Sequence, residues 1–174
     1  MKKLTTLCAM LFCLISAAIA QNIKTEKGHE NNPYYSNTDK TKLNVSNAEW
    51  KKILPPDLYA TAREAATERA FTGKYWNANA KGTYYCAVCG NLLFRSTAKF
   101  ASDCGWPSFF EAENKNAVIY KEDHSYDMER TEVLCARCGS HLGHIFDDGP
   151  DPTGKRFCMN SISLEFKPDV FGKK

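Results

Sequence analysis

Two cysteines in this chain sit in surroundings that suit reactive sulfur. Cys158 lies in Arg156-Phe157-Cys158-Met159-Asn160-Ser161-Ile162-Ser163-Leu164, a β-prone run. Read as one strand to Phe166, it puts Cys158, Asn160, Ile162, Leu164 and Phe166 on one face, a thiol and an amide above an aliphatic base. The same pattern fits an inert core cysteine, since Cys is among the most buried residue types. Cys104 lies in Phe100-Ala101-Ser102-Asp103-Cys104-Gly105-Trp106-Pro107-Ser108-Phe109, a loop by its Gly and Pro that nevertheless holds large aromatics. Three readings are open for it. Cys104 is incidental beside aromatics that plug a core edge, or it forms a permanent disulfide with Cys158, or it is a resolving thiol that reaches Cys158 after chemistry there.

Four further cysteines form two matching knuckles, Cys86-Ala87-Val88-Cys89-Gly90 and Cys135-Ala136-Arg137-Cys138-Gly139. A CxxC turn lets two thiolates point at one ion, and the following glycine permits the backbone conformation that frees amides toward sulfur. Together they predict one structural zinc ion per chain: four thiolates fill a tetrahedron and leave no open position for substrate. Disulfide pairing is the rival, and matching spacing with matching glycines favours metal. A dithiol-exchange CxxC would expect a strand-helix setting, whereas both knuckles follow β-prone runs.

His141 and His144 lie in Ser140-His141-Leu142-Gly143-His144-Ile145-Phe146-Asp147-Asp148-Gly149-Pro150. Residues three apart on a regular strand face opposite ways, so a bulge at Gly143 is needed to turn both inward. The turn-rich loop 147–154 then makes a hairpin that brings imidazole toward Cys158. Protonated imidazole lowers a thiol pKa and can donate a proton to a developing oxyanion. His144, nearer the hairpin end, is the expected donor.

The elements that must position these groups can be read in order. Met1-Lys2-Lys3, an apolar stretch from Leu4 to Ile19, and Ala18-Ile19-Ala20 before Gln21 have the form of a secretory signal peptide, 1–20. The expectation is an exported chain, periplasmic or secreted, with no membrane attachment after cleavage. The formal charge is +3, and losing Lys2 and Lys3 leaves +1, too little for a nucleic-acid or anionic-lipid footprint. Residues 21–43 are polar and read as a flexible lead-in; the domain follows over 44–168, with a tail at 169–174. Ser46 to Glu49 has capping-box spacing, Pro55-Pro56 closes that short helix, and a second helix is expected from Pro56 to Ala70. Strands are expected near 83–86, 92–94, 117–121, 128–134, 141–146 and 156–166. The class is mainly β with short N-terminal helices, α+β, and an antiparallel sheet.

The combination resembles the type B methionine sulfoxide reductases over Leu43 to Phe166. The resemblance rests on Glu49-Trp50, Arg63-Glu64, Thr67-Glu68-Arg69-Ala70-Phe71, Tyr75-Trp76, both knuckles, Gly105-Trp106-Pro107-Ser108-Phe109, Arg130-Thr131-Glu132-Val133, His141-Leu142-Gly143-His144, Phe146-Asp147-Asp148-Gly149-Pro150 and Phe157-Cys158-Met159-Asn160-Ser161. It implies two antiparallel sheets with flanking helices, and reduction of the R epimer of methionine sulfoxide, free or in oxidised proteins. It further implies Cys158 as nucleophile, His141 and His144 as active-site histidines, Cys104 as resolving cysteine through a Cys104-Cys158 disulfide, and Asn160 beside the nucleophile. Trp106 matches the wall that receives the substrate methyl group; Phe146, His124 and Arg130 are expected around the same pocket. Cys86, Cys89, Cys135 and Cys138 match the structural zinc site. Family members are recycled by thioredoxin, so an exported chain would need thioredoxin or a thioredoxin-like reductant supplied outside the cytoplasm.

Overall fold

The computed structural model describes residues 28–170. The expected signal peptide, residues 21–27 of the lead-in and 171–174 of the tail lie outside them. Two compact units divide the chain, Met1–Pro33 and Tyr34–Lys174. Of the first, only 28–33 is described, with a turn closed by the Asn32 N–H donating to the His29 carbonyl at 2.8 Å.

The second unit begins with two short helices. Helix α1, Asn47–Ile53, starts where expected: the Ser46 hydroxyl accepts the Glu49 N–H at 3.2 Å, and the helix buries Trp50. Helix α2, Pro56–Glu64, has proline in its first turn and stops at Ala65, which takes a left-handed conformation. It is shorter than the expected run to Ala70, because the peptide groups beyond it bond elsewhere. The Glu68 N–H goes to Asn160 and the Glu68 carbonyl to Trp106, so neither can join a helical ladder.

Among the described residues nine strands follow: β1 Gly82–Cys86, β2 Leu92–Arg95, β3 Lys99–Phe100, β4 Ser108–Phe109, β5 Val118–Asp123, β6 Arg130–Cys135, β7 His141–Phe146, β8 Arg156–Met159 and β9 Leu164–Pro168. They form two antiparallel sheets, one of three strands in the order β2-β1-β9 and one of six in the order β3-β4-β8-β7-β6-β5. Strands β3 and β4 were not expected, because two residues are too few to display a period. The expected continuous strand 156–166 is corrected. A 3-10 turn at Ser161–Ser163 breaks it, so β8 belongs to the large sheet and β9 to the small one. Cys158 therefore does not share one strand face with Ile162 and Leu164.

Aromatic packing joins the sheets. Phe94 of β2 stacks on Phe109 of β4 with centroids 4.4 Å apart, and Tyr84 of β1 meets Phe109 edge-on at 5.0 Å. Trp50, Leu93, Val133, Leu142, Met159 and Leu164 complete a fully buried core. Residues 34–43, expected to belong to a flexible lead-in, instead lie against the knuckles. The Ser36 N–H donates to the Cys89 carbonyl at 3.1 Å, Asn37 Nδ2 to the Gly90 carbonyl at 2.9 Å, and the Leu43 N–H to the Arg137 carbonyl at 2.7 Å. Buried Arg137 reaches the carbonyls of Tyr34, Thr41 and Cys89 and the Asp39 carboxylate. Most of these contacts use backbone groups of the segment, with side chains supplied by Asn37 and Asp39.

Candidate active site

Antiparallel pairing builds the site before any side chain is considered. Lys121, Glu132, His144, Cys158 and Ser108 are successive cross-strand partners from β5 to β4. Partners in one row project from the same face, so His144 stands directly across from Cys158. The alternation that gives Cys158 to this face leaves Phe157 and Met159 buried on the other.

The expected bulge is present in β7. His141 pairs with Leu134 and Gly143 with Val133, leaving Leu142 as the extra residue. The bulge lets both imidazoles lie together, with ring centroids 5.5 Å apart. Gly143 is required for a second reason: a Cβ there would stand 2.1 Å from the Cys158 carbonyl oxygen. Only glycine allows β7 to approach β8 so closely.

Among the described residues, the two cysteines outside the knuckles, Cys104 and Cys158, meet as free thiols with Sγ atoms 3.4 Å apart. Cys104 Sγ also lies 3.3 Å from Ser108 Oγ and 3.5 Å from the Trp106 carbonyl oxygen. Burial raises the Cys104 pKa, but hydrogen bonds from Ser102, Ser108, the Trp106 backbone and Cys158 outweigh it and bring it to about 7. Burial pushes the Cys158 thiol well up, the neighbouring Cys104 charge adds to this, and Arg156 opposes it. Arg156 has its guanidinium 4.4 Å from the Phe146 ring centroid and is held by the Asp148 carboxylate at 2.8 and 2.9 Å.

Beside Cys158 is a cavity of about 110 Å³ lined by Thr67, Trp106, Arg130, Gly143, His144, Phe146, Cys158 and Asn160. It is far smaller than the roughly 300 Å³ at which sites for drug-sized ligands begin, and suits the end of one side chain. Of the residues expected around the pocket, Trp106, Arg130, Phe146 and Asn160 line this cavity. His124 does not. Its side chain is 66% exposed, pairs with Glu122 at 3.5 Å and lines no part of this cavity, because it follows the end of β5 on the solvent side. His141 is buried outside the lining, with Nδ1 2.7 Å from Glu132 Oε1; burial lowers its pKa against the pull of that carboxylate. A larger groove of about 660 Å³ includes Tyr120, Thr131, Ile145 and Phe157 on the reverse face of the sheet and contains no cysteine or histidine.

The four knuckle sulfurs all lie within 4.8 Å of one another and are buried. Cys86 and Cys138 approach to 3.8 Å and Cys89 and Cys135 to 3.6 Å. An ideal tetrahedron with Zn–S bonds of ~2.3 Å has edges of ~3.8 Å, so the cluster is suited to a metal ion. Asn91 Nδ2 donates to Cys135 Sγ at 3.6 Å, the outer support expected of a thiolate ligand.

The SelR domain model matches residues 54–168. Among curated relatives, a peptide methionine sulfoxide reductase MsrB of Methanosarcina barkeri is 54% identical over 129 residues, covering 74% of this chain and 91% of its own. That of Thiobacillus denitrificans is 56% identical over 123 residues, 71% and 93%. That of Acinetobacter baylyi is 50% identical over 128 residues, 74% and 92%. The chain belongs to the MsrB family.

Three groups in this MsrB site had no signal in residue spacing. Asp123 Oδ2 stands 2.8 Å from His144 Nε2 and accepts from Arg130 Nη2 at 2.6 Å. Bonds from Ser125 and His144 hold its carboxyl far below the usual range. Glu132 is the acid beside His141, and Thr67 reaches the cavity from the irregular segment after α2. Only the register of the β5-β6 hairpin, which pairs Asp123 with Arg130, could have pointed to the first.

Proposed function

We propose that this MsrB-family protein reduces the R epimer of methionine sulfoxide, in proteins or free, through Cys158. The carrying observation is a small cavity in which Cys158, His144, Asn160 and Trp106 converge, with Cys104 Sγ 3.4 Å from Cys158 Sγ.

The sulfoxide methyl group lies against the Trp106 indole, whose π face suits a group that becomes partly cationic during attack. The Cys158 thiol gives up its proton as its sulfur attacks the sulfoxide sulfur, and a proton is delivered to the sulfoxide oxygen, since an unprotonated oxide is a poor leaving group. Asp123 Oδ2, 2.8 Å from His144 Nε2, orients the imidazole that serves as the proton donor. The S–O bond passes its oxygen to Cys158, methionine leaves, and Cys158 becomes a sulfenic acid. Cys104 thiolate then attacks that sulfur, water leaves, and a Cys104-Cys158 disulfide forms. Two electrons from a thioredoxin-like dithiol return the pair to thiols.

Cys86, Cys89, Cys135 and Cys138 would hold one zinc ion, which would cross-link the two knuckles in a structural role. The Met1–Ala20 pattern supports export to a periplasm or beyond, where sulfoxides in oxidised exported proteins would be the substrates to repair after oxidative stress. Among the described residues no helix is long and apolar enough to cross a membrane.

The test is reduction of amino-blocked methionine sulfoxide by dithiothreitol with the epimers resolved by chromatography. Consumption of the R epimer alone is expected. Consumption of neither by folded, metal-loaded protein would refute the assignment. Expression in a bacterium followed by N-terminal mass mapping of the exported fraction should give a chain starting at Gln21.

A further inference from the structure

We infer that Glu68 is a positioning residue that ties the two walls of the substrate cavity together. This rests on the assignment of Trp106 and Asn160 to substrate contact. Glu68 does not line the cavity, yet four of its hydrogen bonds end on the lining residues Trp106 and Asn160 or on the two residues that follow Asn160. Its main-chain N–H donates to Asn160 Oδ1 at 3.0 Å, and its carbonyl accepts the Trp106 indole Nε1–H at 3.1 Å. Its carboxylate accepts the Ser161 N–H at 2.5 Å and the Ile162 N–H at 3.1 Å.

The carboxylate has a specific task. Ser161–Ser163 is a 3-10 turn whose N-cap, Asn160, makes no side-chain capping bond, so its first amides need an acceptor from elsewhere. A carboxylate at the start of a helical turn satisfies them and favours the local dipole. Asn160 is then free to span the site, its Oδ1 on Glu68 and its Nδ2 donating to the Leu142 carbonyl at 3.2 Å, in the strand that holds His144. A charged acceptor for two amides also fixes the Glu68 main chain, and with it the carbonyl on which the Trp106 ring hangs.

Neighbouring glycines make the approach possible. A Cβ on Gly73 would stand 2.5 Å from Glu68 Oε1 and 2.3 Å from Ser161 Oγ, and one on Gly105 would stand 2.8 Å from Ala70 Cβ. The Phe71 N–H donates to the Gly105 carbonyl at 2.8 Å. Segment 67–73 is therefore a belt attached on one side to the Cys104 loop and on the other to the turn that follows the Cys158 strand. Glu68 is the residue in it that bonds to both.

The test uses purified, metal-loaded protein carrying Glu68→Gln, which keeps the shape but sets an amide NH2 against one of the two N–H donors. Losing a bond to a charged acceptor predicts a rise of about tenfold in KM for blocked methionine R-sulfoxide, with a smaller fall in kcat. The Trp106 indole N–H resonance should shift. In a double-mutant cycle, Trp106→Phe should cost far less in the Glu68→Gln background than in wild type. Effects on kcat/KM that multiply, with an unmoved indole signal, would overturn the role, as would a Glu68→Gln protein within twofold of wild type. Should that variant not fold, Cys158→Ser protein titrated with blocked sulfoxide gives an independent reading. The Trp106 indole signal and the Ser161 and Ile162 amides should shift together, and movement of the indole alone would sever the link. A wild type that reduces neither epimer refutes the activity itself; an active wild type with an indifferent Glu68→Gln refutes only the positioning role.

Discussion

Cys104 Sγ stands 3.4 Å from Cys158 Sγ, and each thiol shifts the other's ionisation in the opposite direction. Cys104 is lowered to about 7, whereas Cys158 is raised by burial and by the charge that Cys104 takes up. Of the two, it is therefore the proposed resolving cysteine that ionises first, close to neutral pH. Cys158 has to become nucleophilic only with a sulfoxide in place, when proton transfer to the oxide accompanies attack.

Alkylation with iodoacetamide, mapped by mass spectrometry across pH, should show this order. The thiolate fraction of Cys104 grows as pH rises through about 7, so its labelling should be half-maximal there, with Cys158 responding only in alkaline solution. Replacing Cys104 by Ser removes the charge that holds Cys158 up, and the Cys158 profile should move to lower pH. Identical profiles for the two cysteines would contradict the coupling.

Turnover should separate the roles of the same pair. Cys158→Ser should abolish reduction. Cys104→Ser should yield one methionine per protein molecule and then stop when thioredoxin is the reductant. Product counted against enzyme in a single-turnover assay decides it; full recycling of Cys104→Ser would remove Cys104 from the mechanism.

Asp123→Asn should lower kcat by about ten- to a hundredfold, part of the roughly hundred- to ten-thousandfold that a positioned general acid contributes. The carboxylate fixes His144 at 2.8 Å and is itself anchored by Arg130 at 2.6 Å. The amide keeps the volume but replaces a charged acceptor with a neutral one beside the His144 ring. His124→Ala, in contrast, should leave kcat/KM within twofold, since that side chain is solvent-exposed and outside the cavity.

Metal removal should release residues 34–43. Ser36 and Asn37 bond to knuckle carbonyls, and Arg137, within the second knuckle, binds three carbonyls along and across that segment. A strong chelator should make the segment sensitive to limited proteolysis before the core is cut. Arg137→Met should destabilise the metal-loaded fold by about 2 to 4 kcal/mol, since it leaves several acceptors unpaired. An unchanged digestion pattern after chelation would show that the segment holds without the ion.

Much of the site was legible in the chain because its geometry is local. A CxxC turn sets two sulfurs by itself, and Gly90 and Gly139, at φ +76° and +70°, mark the backbone that such a turn needs. The bulge at Gly143 could be inferred because two histidines three apart cannot otherwise share a face. The resemblance carried Cys104, Trp106, Arg130, Phe146 and Asn160 to one place, and it put His124 there as well. Exposure of His124 depends on where β5 ends, and local sequence does not reveal that.

Residue types and their spacing mark which groups could do chemistry, the pairing of knuckles and the alternation that sets Cys158 apart from Phe157 and Met159. Tertiary structure alone decided which acid serves which histidine, where the strand after Cys158 breaks, and that residues 34–43 fasten to the knuckles. It also decided that helix α2 stops at Glu64 and leaves Glu68 to bond to Asn160, 92 residues away. The physical reason is common to all four. Each turns on a polar group whose partner comes from a distant segment, and a buried donor or acceptor takes whatever partner the packed chain brings within about 3 Å.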